Sequence, residues 1–145
     1  MITISLTGGR HHTAVIKNAA HFYIKTLIPR IRKLRLKIEI IDGLASSEQS
    51  HGDCWQCSHT KNGFDYIVRI NRDDSIYLML SILAHECVHI KQYLRRELVL
   101  YVRDTGCARW KGIFCEEYDY YSAPWELEAD ALENKLYTQF IEYYK

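Results

Sequence analysis

Seven residues, Ala84-His85-Glu86-Cys87-Val88-His89-Ile90, decide how the rest of the chain is read. His85 and His89 are four positions apart, about one turn of an α-helix, so on a helix both imidazoles leave the same face and converge on one point. The neighbours favour a helix. Ile76 to Ala84 is apolar apart from Ser81, Asp73 or Asp74 is placed to cap the start, and the pattern runs to about Glu97. The segment Tyr77–Ala84 is apolar almost all round, which predicts the buried centre of the fold. An unpaired histidine and glutamate are costly to bury in such a helix. A shared metal ion removes that cost. Two neutral nitrogen donors with one oxygen donor suit Zn²⁺, and a catalytic zinc leaves its fourth position to water, whose pKa it lowers to roughly 7. Glu86, directly after the first histidine, points to one side of the metal, where it takes a proton from that water instead of ligating. The same short pattern also arises as two partly exposed histidines beside an ion-paired glutamate. The apolar setting is what favours the metal.

Outward from this helix, periodicity predicts the other elements. Met1–Leu6 alternates as a strand that Gly8-Gly9 ends. Thr13–Leu27 has helical spacing in Val15, Ala19, Phe22 and Leu27, closed by Pro29. Leu34–Ile40 alternates apolar and charged residues, the mark of a half-buried strand, and Asp42-Gly43 is a turn. Gly52–Ser58 and Phe64–Ile70 suggest a hairpin around Lys61-Asn62-Gly63. Leu98–Val102 and Trp110–Glu116 suggest a second strand pair turning at Lys111-Gly112, and Ser122-Ala123-Pro124 opens a last helix. The expected architecture is a single α+β domain over residues 1–145. A small, mostly antiparallel sheet packs on the central histidine helix and the C-terminal helix.

A third ligand is expected from Pro124-Trp125-Glu126-Leu127-Glu128-Ala129-Asp130. Positions two apart lie roughly 200° apart around a helix, so only one of Glu126 and Glu128 faces the metal. Glu126 shares a stripe with Ala129, Asp130, Glu133, Tyr137 and Phe140. Glu128 shares one with Lys135, Gln139 and Glu142, which reads as water-facing. Glu126 is therefore the expected ligand. Asp130, one turn on, is placed to hold the free ring nitrogen of His85 or His89.

These residues resemble the gluzincins, the thermolysin-like class of zinc peptidases, and the shorter motif of minigluzincins and ImmA/IrrE-type peptidases, some of them phage-encoded. The resemblance covers roughly residues 64–140 and rests on His85, Glu86, His89, Glu126, Ala129 and Asp130. It implies a zincin-like fold, Zn²⁺ as cofactor, peptide-bond hydrolysis with Glu86 as general base, and Asp130 orienting a zinc histidine. The sequence departs from the class in its longer gap between His89 and Glu126. It contains no counterpart of thermolysin's large C-terminal domain and no third histidine at metzincin spacing. A Tyr or His donor to the oxyanion is usual in the class. Of Tyr118, Tyr120 and Tyr121, the residue singled out is Tyr121.

The remaining residues narrow the class further. Cys54 and Cys57, flanked by His51 and His59, invite a second zinc, but an odd separation on a strand points the two thiols to opposite faces. Cys107 and Cys115 are candidates to face one another across the second hairpin. Five cysteines, an odd number, together with an N-terminus lacking a basic region and a long apolar run, lead to the expectation of a reducing cytosol, bacterial or phage-infected, with no membrane span. Net charge is +1, against a general nucleic-acid binder. Charge is nonetheless uneven. Residues 1–40 are basic and those from Ile113 onward are acidic, as two faces attracting one another or as a docking surface for an acidic partner. The expected partner is a protein or peptide substrate. The rivals are a zinc-containing protein- or nucleic-acid-binding module without turnover, and a purely structural metal site, which needs no carboxylate such as Glu86.

Overall fold

A computed structural model describes residues 1–48, 50–57, 63–73, 75–101, 107–116 and 118–144. Strand β1 (Ile2–Thr7) leads through helix α1 (Thr13–Leu27) to strand β2 (Leu34–Ile41). In β2, Leu34, Leu36, Ile38 and Ile40 are buried, while the charged residues between them sit on the other, half-exposed face. This is the alternation the sequence displays. After the short helix α2 (Leu44–Glu48), strand β3 (Gly52–Gln56) pairs antiparallel with β4 (Tyr66–Asn71), Gly52 opposite Ile70 and Gln56 opposite Tyr66. The sheet order is β1-β2-β4-β3.

The expected mostly antiparallel sheet is corrected here. β1 pairs parallel with β2, and β2 parallel with β4, so only the β3–β4 hairpin is antiparallel in this sheet. The cause is connection length. A tight turn forces antiparallel neighbours, whereas a helix such as α1 carries the chain back across the sheet to a parallel position. Turn residues advertise hairpins in a sequence, and crossovers have no comparable mark. Lys61 and Asn62 of the expected hairpin loop lie outside the described residues.

Helix α3 (Ile76–Leu94) carries the two histidines and lies at the centre, as its all-round apolarity implies. Met79, Leu80, Leu83, Ala84, Cys87, Val88 and Ile90 enter one core with Ile16, Ala19, Ala20, Tyr23 and Ile24 of α1 and with Ala129, Leu136 and Phe140 of helix α4 (Pro124–Tyr144). Alanines at these contacts let the helix backbones approach closely. The buried Tyr23 hydroxyl finds its partner by donating to the Leu80 carbonyl at 3.0 Å. Ser75, not Asp73, caps α3, its hydroxyl accepting from the Leu78 N–H at 3.4 Å. Asp73 instead accepts from the Ser75 N–H at 2.8 Å. Asp74 lies outside the described residues. The helix stops at Leu94, earlier than Glu97, because Arg96 turns into the left-handed region at φ 55°.

The expected second strand pair is three strands: β5 (Leu98–Leu100), β6 (Ala108–Trp110) and β7 (Ile113–Cys115), all antiparallel. Lys111 and Gly112, with φ 47° and 84°, form the tight turn between β6 and β7. Cys115 stands opposite Ala108, one position away from the expected partner Cys107. Leu98, Ala108, Ala123 and Trp125 form a small second core that fixes this sheet against the start of α4. Of the basic residues in the first forty, Arg10, Arg35 and Lys37 pair with Asp42, Asp65 and Glu39 in the same half of the chain. Among the described residues, no helix is long and apolar enough to cross a membrane.

Gly52 sets the distance between the edge strand and α3. A Cβ there would lie 2.6 Å from Ile82 Cγ2 and 3.1 Å from the Arg69 carbonyl oxygen, both held by stiff groups. Gly52→Ala is expected to destabilise the fold by about 1–3 kcal/mol through overpacking. Thermal or urea unfolding checks this, and an unchanged midpoint would refute the close packing.

Candidate metal centre

The centre is made where α4 crosses α3. Pro124 opens α4 and Trp125 anchors it in the small core, leaving Glu126 in the first turn, 6 % exposed and aimed at the histidine face of α3. Glu126 Oε1 lies 3.2 Å from His85 Nε2, and Oε2 lies 2.9 Å from His89 Nε2. One ligating atom from each of His85, His89 and Glu126 falls within 4.8 Å of the others. Ligands on a tetrahedral zinc, each at about 2.0–2.1 Å, stand roughly 3.3 Å apart. The three side chains therefore lie close enough together to share one metal ion.

The far side of each ring indicates which nitrogen faces inward free of hydrogen. His89 Nδ1 is 2.8 Å from Gln92 Oε1. Gln92 is fully buried, and its amide orientation is dictated from behind: the Nε2 group donates to the Trp125 carbonyl at 2.9 Å and to Glu128 Oε1 at 3.1 Å, neither of which donates. Its oxygen therefore faces His89, which must present an Nδ1–H. His85 Nδ1 is 3.2 Å from Glu133 Oε1 and 3.3 Å from Asp130 Oδ1, again acceptors. In the neutral form both rings consequently turn an Nε2 lone pair toward the Glu126 carboxylate. Three electron-rich groups meet at one point, and only a cation relieves them. The donor chemistry, two imidazole nitrogens and one carboxylate, fits Zn²⁺.

The alternative cation is the proton. Burial disfavours charge on His85, but the carboxylates of Glu126 and Glu133 outweigh it and raise its pKa to about 10. His89 is raised in the same way, burial opposing and Glu126 prevailing. Burial would raise Glu126, yet hydrogen bonds from the two histidines hold it down at about 2. Glu86 is 4 % exposed and behaves differently: burial pushes its carboxyl up to about 7, with His89 and His85 pulling the other way. Its carboxylate borders the cleft without bridging the two histidines.

The expected residues fall as follows. His85, His89 and Glu126 come together. Asp130 reaches His85 as its spacing suggests, but it is more than half exposed and shares the ring nitrogen with Glu133. Glu133, which also accepts from the Ser81 hydroxyl at 3.1 Å, was not given a role from sequence. Its signal was present, seven residues beyond Glu126 on the same stripe. Tyr121 lines the cleft but is 78 % exposed. Tyr120, 55 % exposed, lines the cleft as well, and burial together with the nearby Glu126 and Glu86 carboxylates raises its phenol's pKa. Glu128 is not water-facing. It accepts from Lys91 Nζ at 2.7 Å and from Gln92, tying the second ring's support to α4. Cys54 stands in β3 opposite Val68 and Cys57 just beyond the strand, while His59 lies outside the described residues.

No family model matches this chain, and no solved structure matches it significantly.

Three outcomes are expected. Purified protein holds about one Zn²⁺ per chain, and His85→Ala or His89→Ala loses most of it. Metal analysis checks this. Gln92→Leu and Glu133→Ala each weaken zinc binding roughly 10- to 100-fold in a chelator competition, more than Asp130→Ala does. Equal effects of Glu133→Ala and Asp130→Ala would contradict the greater weight given to the more buried carboxylate. Because zinc must displace the proton that His85 holds up to a pKa of about 10, affinity rises with pH below that value, about tenfold per unit for each proton released. A pH-independent affinity would show that zinc releases no proton from the imidazoles.

Proposed function

We propose that this protein is a zinc-dependent peptidase with a zincin-like single domain, working in a reducing cytosol. The observation that carries this reading is Glu86: a buried carboxylate beside the three converging ligands, at the wall of an open cleft of about 550 Å³. A metal that only staples a small fold needs three or four ligands and no such neighbour.

His85, His89 and Glu126 would hold the metal, whose contribution when bound is to polarise a carbonyl and lower the pKa of water. The protein's own groups do the rest. Glu86, held near neutrality by burial, takes a proton from the attacking water and returns it to the departing amine. Gln92 and Glu133 keep both imidazoles in the tautomer that leaves Nε2 free for the metal. Tyr120, at the cleft, is the available hydroxyl donor for the negative charge that develops on the carbonyl oxygen. Strand β3 is last in its sheet and borders the cleft through Gly52 and Asp53, so an extended peptide finds main-chain partners beside Glu86.

Glu86→Gln is expected to retain zinc and the thermal midpoint while losing peptide hydrolysis by roughly 100- to 10,000-fold. The comparison uses zinc-loaded wild-type and variant protein on the same peptide mixture. A variant that turns over at a substantial fraction of the wild-type rate would remove Glu86 from the role of base.

A further inference from the structure

The groove around Glu86 has two unlike halves. On one side the hydroxyl, imidazole and carboxylate groups of Ser50, His51, Asp130 and Glu133 stand among Gly52, Ile82 and Tyr121. On the other, a cleft of about 680 Å³ has Trp125 and Leu98 as its floor and Trp55, Tyr93, Leu100 and Tyr101 around it. Glu86, Tyr120 and Glu126 line both halves, so the reacting centre lies at their junction. Trp125 and Leu98 are each 3 % exposed, fixed by the small core, whereas Trp55, Leu100 and Tyr101 remain about 40 % exposed. A rigid apolar floor with a rim of accessible aromatic surface, continuous with a polar centre, is the construction of a side-chain pocket.

Strand β3 gives this asymmetry a direction. Gly52 borders the half that holds Asp130 and Glu133, and Trp55 and Gln56 border the aromatic half, so the strand runs from the first to the second. A peptide adding to its outer edge in the antiparallel sense, the more stable pairing, enters beside Gln56 and leaves beside Gly52. Its N-terminal part then lies in the aromatic half. We propose that the groove selects peptides carrying a large apolar or aromatic side chain at one of the two positions before the scissile bond. The inference rests on the peptidase reading above and specifies its substrate class.

The test uses the full-length, zinc-loaded protein on a proteome-derived peptide library, with the new termini mapped by mass spectrometry. The expected result is a roughly 10- to 100-fold enrichment of Phe, Tyr, Trp, Leu or Met at one of the two positions before the cut. Trp55→Ala and Tyr101→Ala should reduce that enrichment, mainly through KM. Enrichment after the cut, or none, overturns the proposal. A second measurement is independent of turnover. Calorimetry on zinc-loaded Glu86→Gln compares a blocked hexa-alanine peptide with the same peptide carrying one Phe, and binding roughly tenfold tighter for the latter is expected. Equal affinities overturn the proposal. Calorimetric preference without hydrolysis by wild-type protein leaves the pocket standing and removes the peptidase reading. Hydrolysis without side-chain preference does the reverse.

Discussion

Everything at the centre of this molecule depends on one contact: the Glu126 carboxylate held between two imidazole nitrogens, 3.2 and 2.9 Å away. It joins α4 to α3, and it places a negative charge where burial alone would forbid one. The contact is possible only because the surrounding packing is close. Ala129, one turn on from Glu126, is fully buried, and Trp125 is locked under the small sheet, so the first turn of α4 has little freedom to drift. A carboxylate facing two lone pairs is unstable unless a cation is shared among them. Coordination and protonation are the two solutions open to this geometry, and binding of a zinc ion would exchange one for the other.

The supporting groups divide between the two helices so that neither ring is held by its own helix alone. Gln92, on α3, is itself oriented by Trp125 and Glu128 of α4. His85 is held from α4 by Asp130 and Glu133. Lys91 joins the same arrangement by pairing with Glu128 and Glu97. Hydrogen bonds in a buried network reinforce one another, and here they run without a break from Lys91 through Glu128 and Gln92 to His89. This explains how a mostly apolar helix accommodates two histidines, a glutamate and a glutamine within two turns.

Much of this was legible in the sequence because periodicity and spacing are local. The four-residue interval of His85 and His89, the stripe turning Glu126 and not Glu128 toward them, and the alternation of Leu34–Ile40 each concern a single element. What stayed hidden depends on how elements meet. The parallel pairing of β2 with β1 and β4 follows from crossovers that leave no turn signature. Glu128 looked water-facing because its own helix stripe is polar, yet the neighbouring α3 brings Lys91 and Gln92 to it. Tyr120 and Tyr121 are adjacent and chemically alike, and it takes the 3-10 turn at Tyr120–Ser122 to bring both to the cleft wall. Gln92 had no visible role, since an amide buried three residues beyond a histidine becomes informative only once its other partners are known.

The central claim is that His85, His89 and Glu126 form one metal-binding unit with Glu86 beside it. Anomalous diffraction from crystals of the zinc-loaded protein, recorded on either side of the zinc absorption edge, tests it most directly. The account predicts a single strong peak about 2.0–2.1 Å from His85 Nε2, His89 Nε2 and a Glu126 oxygen, with Glu86 outside the coordination sphere. A peak elsewhere, as at Cys54 and Cys57, or a zinc ligated directly by Glu86, would contradict it.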